Sequence, residues 1–135
     1  MSILVCKDSF HRYATAFYDK IRKAGVEIVL IPSYSLNVTE RSTELWTDSL
    51  KALAKWFDVY ILAPGTIGKN PTEYRSFGHA LIICPKRVVL AEGSTNREEI
   101  LRATIDKKSL EEIRNTAGSK WQPKTAPKTR LLIFR

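Results

Sequence analysis

Apolar residues run consecutively over residues 3–5 and stop at Cys6-Lys7-Asp8-Ser9, after which Phe10, Ala14, Phe17, Ile21 and Ala24 recur at spacings of four, three, four and three. A strand alternates its side chains between two faces, whereas a 3.6-residue period gathers positions three and four apart onto one face. The pattern therefore predicts a strand, a sharp turn and an amphipathic helix. Gly25 is placed to close that helix as a left-handed cap, and the unbroken Ile28, Val29, Leu30 and Ile31 suit a strand covered on both faces. A polar loop over 32–42 leads to a second helix carrying Trp46, Leu50, Leu53 and Phe57 on one face. Residues 59–63 then form a buried strand that Pro64 and Gly65 end. Two β-rich runs, 79–84 and 87–91, flank Pro85-Lys86 and predict a hairpin. A further strand is expected over 100–105, followed by Asp106 as the cap of a helix reaching about residue 116.

The order βαβαβ, then a hairpin, then strand and helix is an α/β class pattern with a mostly parallel sheet and an antiparallel addition. Pro123 and Pro127 break up residues 118–129, and residues 131–134 read as a last apolar strand. An unpaired apolar edge invites aggregation, so that strand is expected to pair with another chain or to return across the surface.

Composition narrows the class. With 135 residues and 44% apolar content, the chain can bury a core as one domain, which excludes a disordered or disulfide-stapled chain. The run near the start is too short for a signal-peptide core or a membrane span, so a soluble, cytoplasmic protein with Cys6 and Cys84 as reduced thiols is expected. The net charge is +8, but Lys120, Lys124, Lys128, Arg130 and Arg135 all lie in residues 118–135, where there is no acid. Residues 1–117 keep 17 basic against 14 acidic groups. The body lacks a basic stripe interleaved with aromatics. The tail therefore reads as a solubilising or docking extension that contacts an oligomer mate or partner, in preference to a nucleic-acid surface.

Among chemistry-bearing residues, Cys6 stands out by position. It ends the first strand, and ligands of open α/β sheets gather at the carboxyl ends of strands. Backbone N–H groups at a following helix start would favour its thiolate and could receive an oxyanion, with Lys7 adding positive charge. A small buried cysteine is the bland alternative. Cys6, His11, His79 and Cys84 form a symmetric set, but His79 and Cys84 are an odd number apart in one strand and should face opposite ways. The set therefore makes a poor zinc site, and no cofactor is called for. No third residue orients a Cys6–histidine dyad. Trp46, Trp56 and Phe57 read as core or interface.

Taken in order, ILVCKDSF (3–10), AGVEIVLIPS (24–33), Leu45-Trp46 with LAKWFDVYILAP (53–64), and FGHALIICPKRVVLAEG (77–93) with RATIDKKSLEEIR (102–114) resemble the nitrilase superfamily of carbon-nitrogen hydrolases, specifically its C-terminal half. The resemblance covers residues 3 to about 114. It implies half of an αββα sandwich over 1–117 and a Glu-Lys-Cys catalytic set in which Cys attacks an amide or nitrile carbon. Glu then acts as base and acid, and Lys stabilises the tetrahedral intermediate. It assigns the nucleophile to Cys6 and an oxyanion donor to the backbone N–H of Lys7, with Asp8 as a structural cap. Tyr13, Trp56 and Arg87 depart from the family pattern, which has Glu, Glu and Gly there. The family's Glu and Lys lie upstream of the nucleophile, and only five residues precede Cys6.

The first expectation is therefore an amidase-like or nitrilase-like half domain, inactive alone and completed by a second polypeptide that brings the Glu and Lys. The second is a non-catalytic, self-associating or partner-binding module of the same descent. Either way an oligomer is expected, because half a sandwich leaves apolar strand faces uncovered.

Overall fold

The computed structural model describes residues 1–10, 14–36, 38–69, 75–116 and 132–133. Strands β1 (Ser2–Ile3), β2 (Ile28–Leu30) and β3 (Tyr60–Ala63) lie parallel. β6 (Leu81–Ile83) and β7 (Val89–Glu92) extend the sheet antiparallel beyond β3, and β8 (Leu132–Ile133) pairs parallel with the free edge of β1. The short last strand thus returns to its own sheet, one of the two outcomes expected for it. The remainder of the basic tail lies outside the described residues. Between β3 and β6 the chain makes a separate two-stranded ribbon, β4 (Ile67–Lys69) against β5 (Arg75–Phe77), which the sequence pattern did not foretell.

Helices α1 (Ala14–Lys23) and α2 (Ser42–Phe57) cover one face of the sheet. Alternation supplies the residues that meet them: Leu4, Val29, Ile31, Ile61, Ala63, Leu81 and Ile83 are all buried. Tyr18, absent from the predicted stripe but one helical turn beyond Ala14, is fully buried and stacks on Phe57 with ring centroids 4.5 Å apart. Removal of its ring from water pushes the Tyr18 hydroxyl pKa up.

α1 ends as Gly25 predicts. Gly25 sits at φ 73°, its N–H donates to Arg22 O, and Val26 N–H donates to Ile21 O, so two orphan carbonyls are satisfied. The β6–β7 turn needs one residue more than Pro85-Lys86. Arg87 N–H donates to Cys84 O, Cys84 N–H donates to Val88 O, and Arg87 stands at φ 67° in the left-handed position of a three-residue loop.

Helix α3 (Lys107–Thr116) begins where Asp106 predicts, with Asp106 Oδ1 accepting from the N–H groups of Lys108 and Ser109 at 3.0 and 3.2 Å. It crosses the other face near the strand starts, where Leu110 packs with Tyr60 and Cys84 and draws in Ile28, Leu62 and Ile105. The buried Arg114 guanidinium donates to Asp58 O and Val26 O, fastening the helix to the loops that enter β3 and β2. The expected strand over 100–105 does not form. Ile100, Arg102, Ala103 and Thr104 are exposed, and the segment has no ladder partner, being anchored by Ile105 and by the Tyr60 hydroxyl, which donates to Asp106 O. Among the described residues, no helix is long and apolar enough to cross a membrane.

Candidate functional site

Cys6 lies at the carboxyl end of β1, where the chain leaves the sheet through a single 3₁₀ turn (Cys6–Ser9). Its φ of 45° places a side-chain-bearing residue in left-handed backbone, which costs about 1–2 kcal/mol. The turn is over-determined by its neighbours: Cys6 N–H donates to Pro32 O, Asp8 N–H to Val5 O and Phe10 N–H to Lys7 O, each at 3.0 Å. Strained residues persist where the surroundings fix them, and they gather at functional sites. Phe10, at φ −122°, closes the 3₁₀ turn, so Cys6 opens this short turn and is not in the first turn of α1, and the N–H groups near its thiol are those of the 3₁₀ turn.

The half-buried Cys6 opens on a cleft of about 500 Å³ at the carboxyl ends of β1 and β2. Three elements wall it: the 3₁₀ turn with Lys7 and Phe10, the loop after β2 with Tyr34 to Leu36, and the start of α2 with Leu45 and Trp46; Phe77 of β5 adds to them. The rings make a row along the wall, Phe10 to Trp46 at 5.4 Å and Trp46 to Phe77 at 6.2 Å between centroids. Lys7 lines the cleft beside Cys6, and its N–H has no backbone acceptor among the described residues. Asp8 lies in the first turn of the 3₁₀ segment. No carboxylate lines the cleft among the described residues.

The other titratable residues singled out from sequence lie elsewhere. His79, at φ 55° just before β6, is buried. Its Nε2 lies 3.0 Å from Thr47 Oγ1 and 3.4 Å from Glu92 Oε1. Because the Thr47 hydroxyl donates to Thr43 O, its oxygen is left to accept from His79 Nε2. Cys84 is buried beside Tyr60 and Leu110, on the opposite sheet face from α2. His11 and Tyr13 fall outside the described residues. Trp56 is 67% exposed on the outside of α2 and packs in neither core cluster, so of the core or interface expected for it only the core is excluded; Trp46 lines the cleft, and Phe57 packs on Tyr18.

The sequence puts Cys6 at a strand end, as the structure does, but does not reveal the walls beside it: its period puts Phe10 in the core stripe of α1 and leaves residues 34–36 and 77 unmarked. The usable signal was topological, since the loop leaving β2 must surface at the same sheet end as Cys6.

The family model described as carbon-nitrogen hydrolase matches residues 1–115. The chain is 28% identical over 97 residues to "Probable hydrolase nit2" of Schizosaccharomyces pombe, covering 70% of this chain and 34% of that protein. It is 29% identical over 89 residues to the "Deaminated glutathione amidase" of Dictyostelium discoideum, covering 66% of this chain and 30% of that one. The chain thus spans about a third of the length of these relatives. Saccharomyces cerevisiae Nit3, a nitrilase-superfamily member of solved structure, superposes with a TM-score of 0.72 at 20% identity, over 91% of this chain and 43% of that one.

Proposed function

The chain belongs to the carbon-nitrogen hydrolase family and has the nitrilase fold, and from that premise we propose that Cys6 is the nucleophile of an amide-hydrolysing or nitrile-hydrolysing assembly whose Glu and Lys come from a partnering N-terminal half of the fold. In this reading, the Cys6 thiol gives its proton to the partner's Glu and attacks the carbonyl carbon of a small linear amide. The oxyanion that forms accepts from the Lys7 N–H and from the partner's Lys. As the C–N bond breaks, the Glu passes the proton to the departing amine and leaves a thioester on Cys6, which water then hydrolyses to the acid. A nitrile enters the same path through a thioimidate.

The observation that carries the reading is Cys6 itself, held at φ 45° at a strand end and opening on a cleft with no carboxylate among its described lining. A nucleophile without an adjacent base keeps little catalytic power, so the base must be brought to it. The sheet supports a second half as well. Ile3, Leu30, Leu62 and Ile82 are paired directly across four strands on the face away from α1 and α2, and all four are only half-buried. A second sheet laid on that row would cover it and bring foreign side chains to the strand ends.

The test is to mix the chain with a family N-terminal half that carries Glu and Lys, then to read solution mass and ammonia release from simple amides. We expect a complex and turnover from the pair, no turnover from either half alone, and a complex without turnover for Cys6→Ala. A stable complex of the native chain that releases no ammonia from any amide or nitrile would overturn the catalytic reading in favour of a binding module.

A further inference from the structure

The walls of the Cys6 cleft say what kind of acyl group the site accepts, an inference that rests on the reading of Cys6 as nucleophile. Three aromatic rings, Phe10, Trp46 and Phe77, form a continuous row, and Leu36, Val38 and Leu45 extend the apolar lining toward the rim. Several polar groups in the wall are consumed by the fold. The Ser42 hydroxyl donates to Thr39 O at 2.8 Å and accepts from Thr39 N–H at 3.0 Å. Ser35 O accepts from the Ser76 hydroxyl at 3.0 Å and from Phe77 N–H at 3.1 Å. Among the described lining residues Lys7 is the one with a formal charge, and it is exposed.

An anionic acyl group in this cleft would lose its hydration against apolar walls with one solvent-screened lysine in return, a poor exchange. An uncharged group loses nothing comparable and gains contact with the rings. The volume of about 500 Å³ lies within the range of small-molecule sites. We propose that the cleft beside Cys6 binds the uncharged acyl part of an amide, an aryl or branched alkyl group laid along Phe10, Trp46 and Phe77 with its carbonyl carbon at Cys6 Sγ.

The experiment uses the intact chain and three alkylating probes of graded character: N-benzyl iodoacetamide, iodoacetamide and iodoacetate. Each displaces iodide and forms a thioether on cysteine. Labelling of Cys6 is followed by peptide mass spectrometry, with each rate divided by that for free cysteine. The buried Cys84 serves as an internal control. After that correction, the benzyl probe should exceed iodoacetamide by about tenfold, the worth of one good aromatic contact, with iodoacetate slowest. Trp46→Ala should erase the benzyl preference, so that the corrected benzyl and iodoacetamide rates become equal. Phe10→Ala, at a position 42% exposed, should lower the preference too and serves if the Trp46 variant does not fold.

Fastest labelling by iodoacetate would overturn the proposal in favour of a Lys7-governed anionic site. So would equal corrected rates, a Cys6 that none of the probes labels, or a benzyl preference that disappears as the protein is concentrated, which would mean that a second copy fills the cleft. A benzyl preference in a chain whose complex never releases ammonia would keep the acyl site and discard the hydrolase. Turnover confined to carboxylate-bearing amides, without the preference, would do the reverse.

Discussion

The two faces of the sheet are built from the same strands and end in different states. On the α1–α2 side, Val29, Ile61 and Ile83 sit in one paired row with none of their surface exposed. One residue along each strand, the row Ile3, Leu30, Leu62 and Ile82 is equally apolar in composition but only half-buried. α3 covers this face in part: its Leu110 packs with Tyr60 and Cys84 and reaches Ile28 and the flank of Leu62. Period-two alternation places apolar residues on both faces, and burial then depends on whether the chain carries an element to lay over each. The first face has become core, whereas the second stays partly open.

Truncating the two rows at adjacent positions gives the sharpest test of that difference. Ile61→Ala should cost about 3–4 kcal/mol in urea unfolding, because it opens a cavity among fully buried neighbours, and Leu62→Ala no more than about half of that. Equal losses would mean that the outer row is already covered, for instance by self-association.

Arg114→Ala should cost about 2–3 kcal/mol, since it leaves Asp58 O and Val26 O buried without their donor. The damage should be confined to the outer face: near-ultraviolet signals of Tyr60 should change while those of the Tyr18–Phe57 stack persist.

Leu62→Lys should alter the stability of the isolated chain by about 1 kcal/mol or less, the lysine stem lying along the sheet with its ammonium in water. It should nevertheless abolish complex formation with a second half in a solution-mass experiment. Unaltered complex formation would place the interface elsewhere.

Smaller effects belong to the loops. Arg87→Gly should raise stability by about 0.5–1 kcal/mol, because glycine meets the left-handed turn without the Cβ penalty and gives back part of the gain as chain entropy. Glu99 is held down at about 2, first by hydrogen bonds from Ser94 and then by the Arg97 guanidinium. A lowered carboxyl stabilises its loop above its ordinary range and surrenders that stability as pH falls through the folded value. Hydrogen-exchange protection of the Ser94 amide should therefore hold at pH 5, fade between about pH 4 and 2, and be pH-independent in Glu99→Gln.

Much of this fold was legible because its signals are local. Gly25 and Asp106 announce helix ends, one satisfying carbonyls and the other N–H groups within a few residues. Leu50 and Ala54 or Val29 and Ile31 declare their periods without reference to the rest of the chain. The failures were non-local. Residues 100–105 read as a strand, but a strand requires a free neighbouring edge in reach, which no stretch of six residues specifies. The β4–β5 ribbon lacks a clear period and exists because Ile67 and Phe77 are brought opposite each other. Phe10 reads as core because hydrophobicity alone does not distinguish a buried face from the wall of a cleft.

Residue order by itself determined the α/β class, the helix caps and the placement of Cys6 at a strand end, since each follows from interactions within about a turn of chain. Tertiary structure alone decided that Cys6 adopts left-handed backbone, that rings from the 3₁₀ turn, α2 and β5 align beside it, and that one apolar row remains half-open. Those features join segments up to about eighty residues apart, and only packing can set the distance between them.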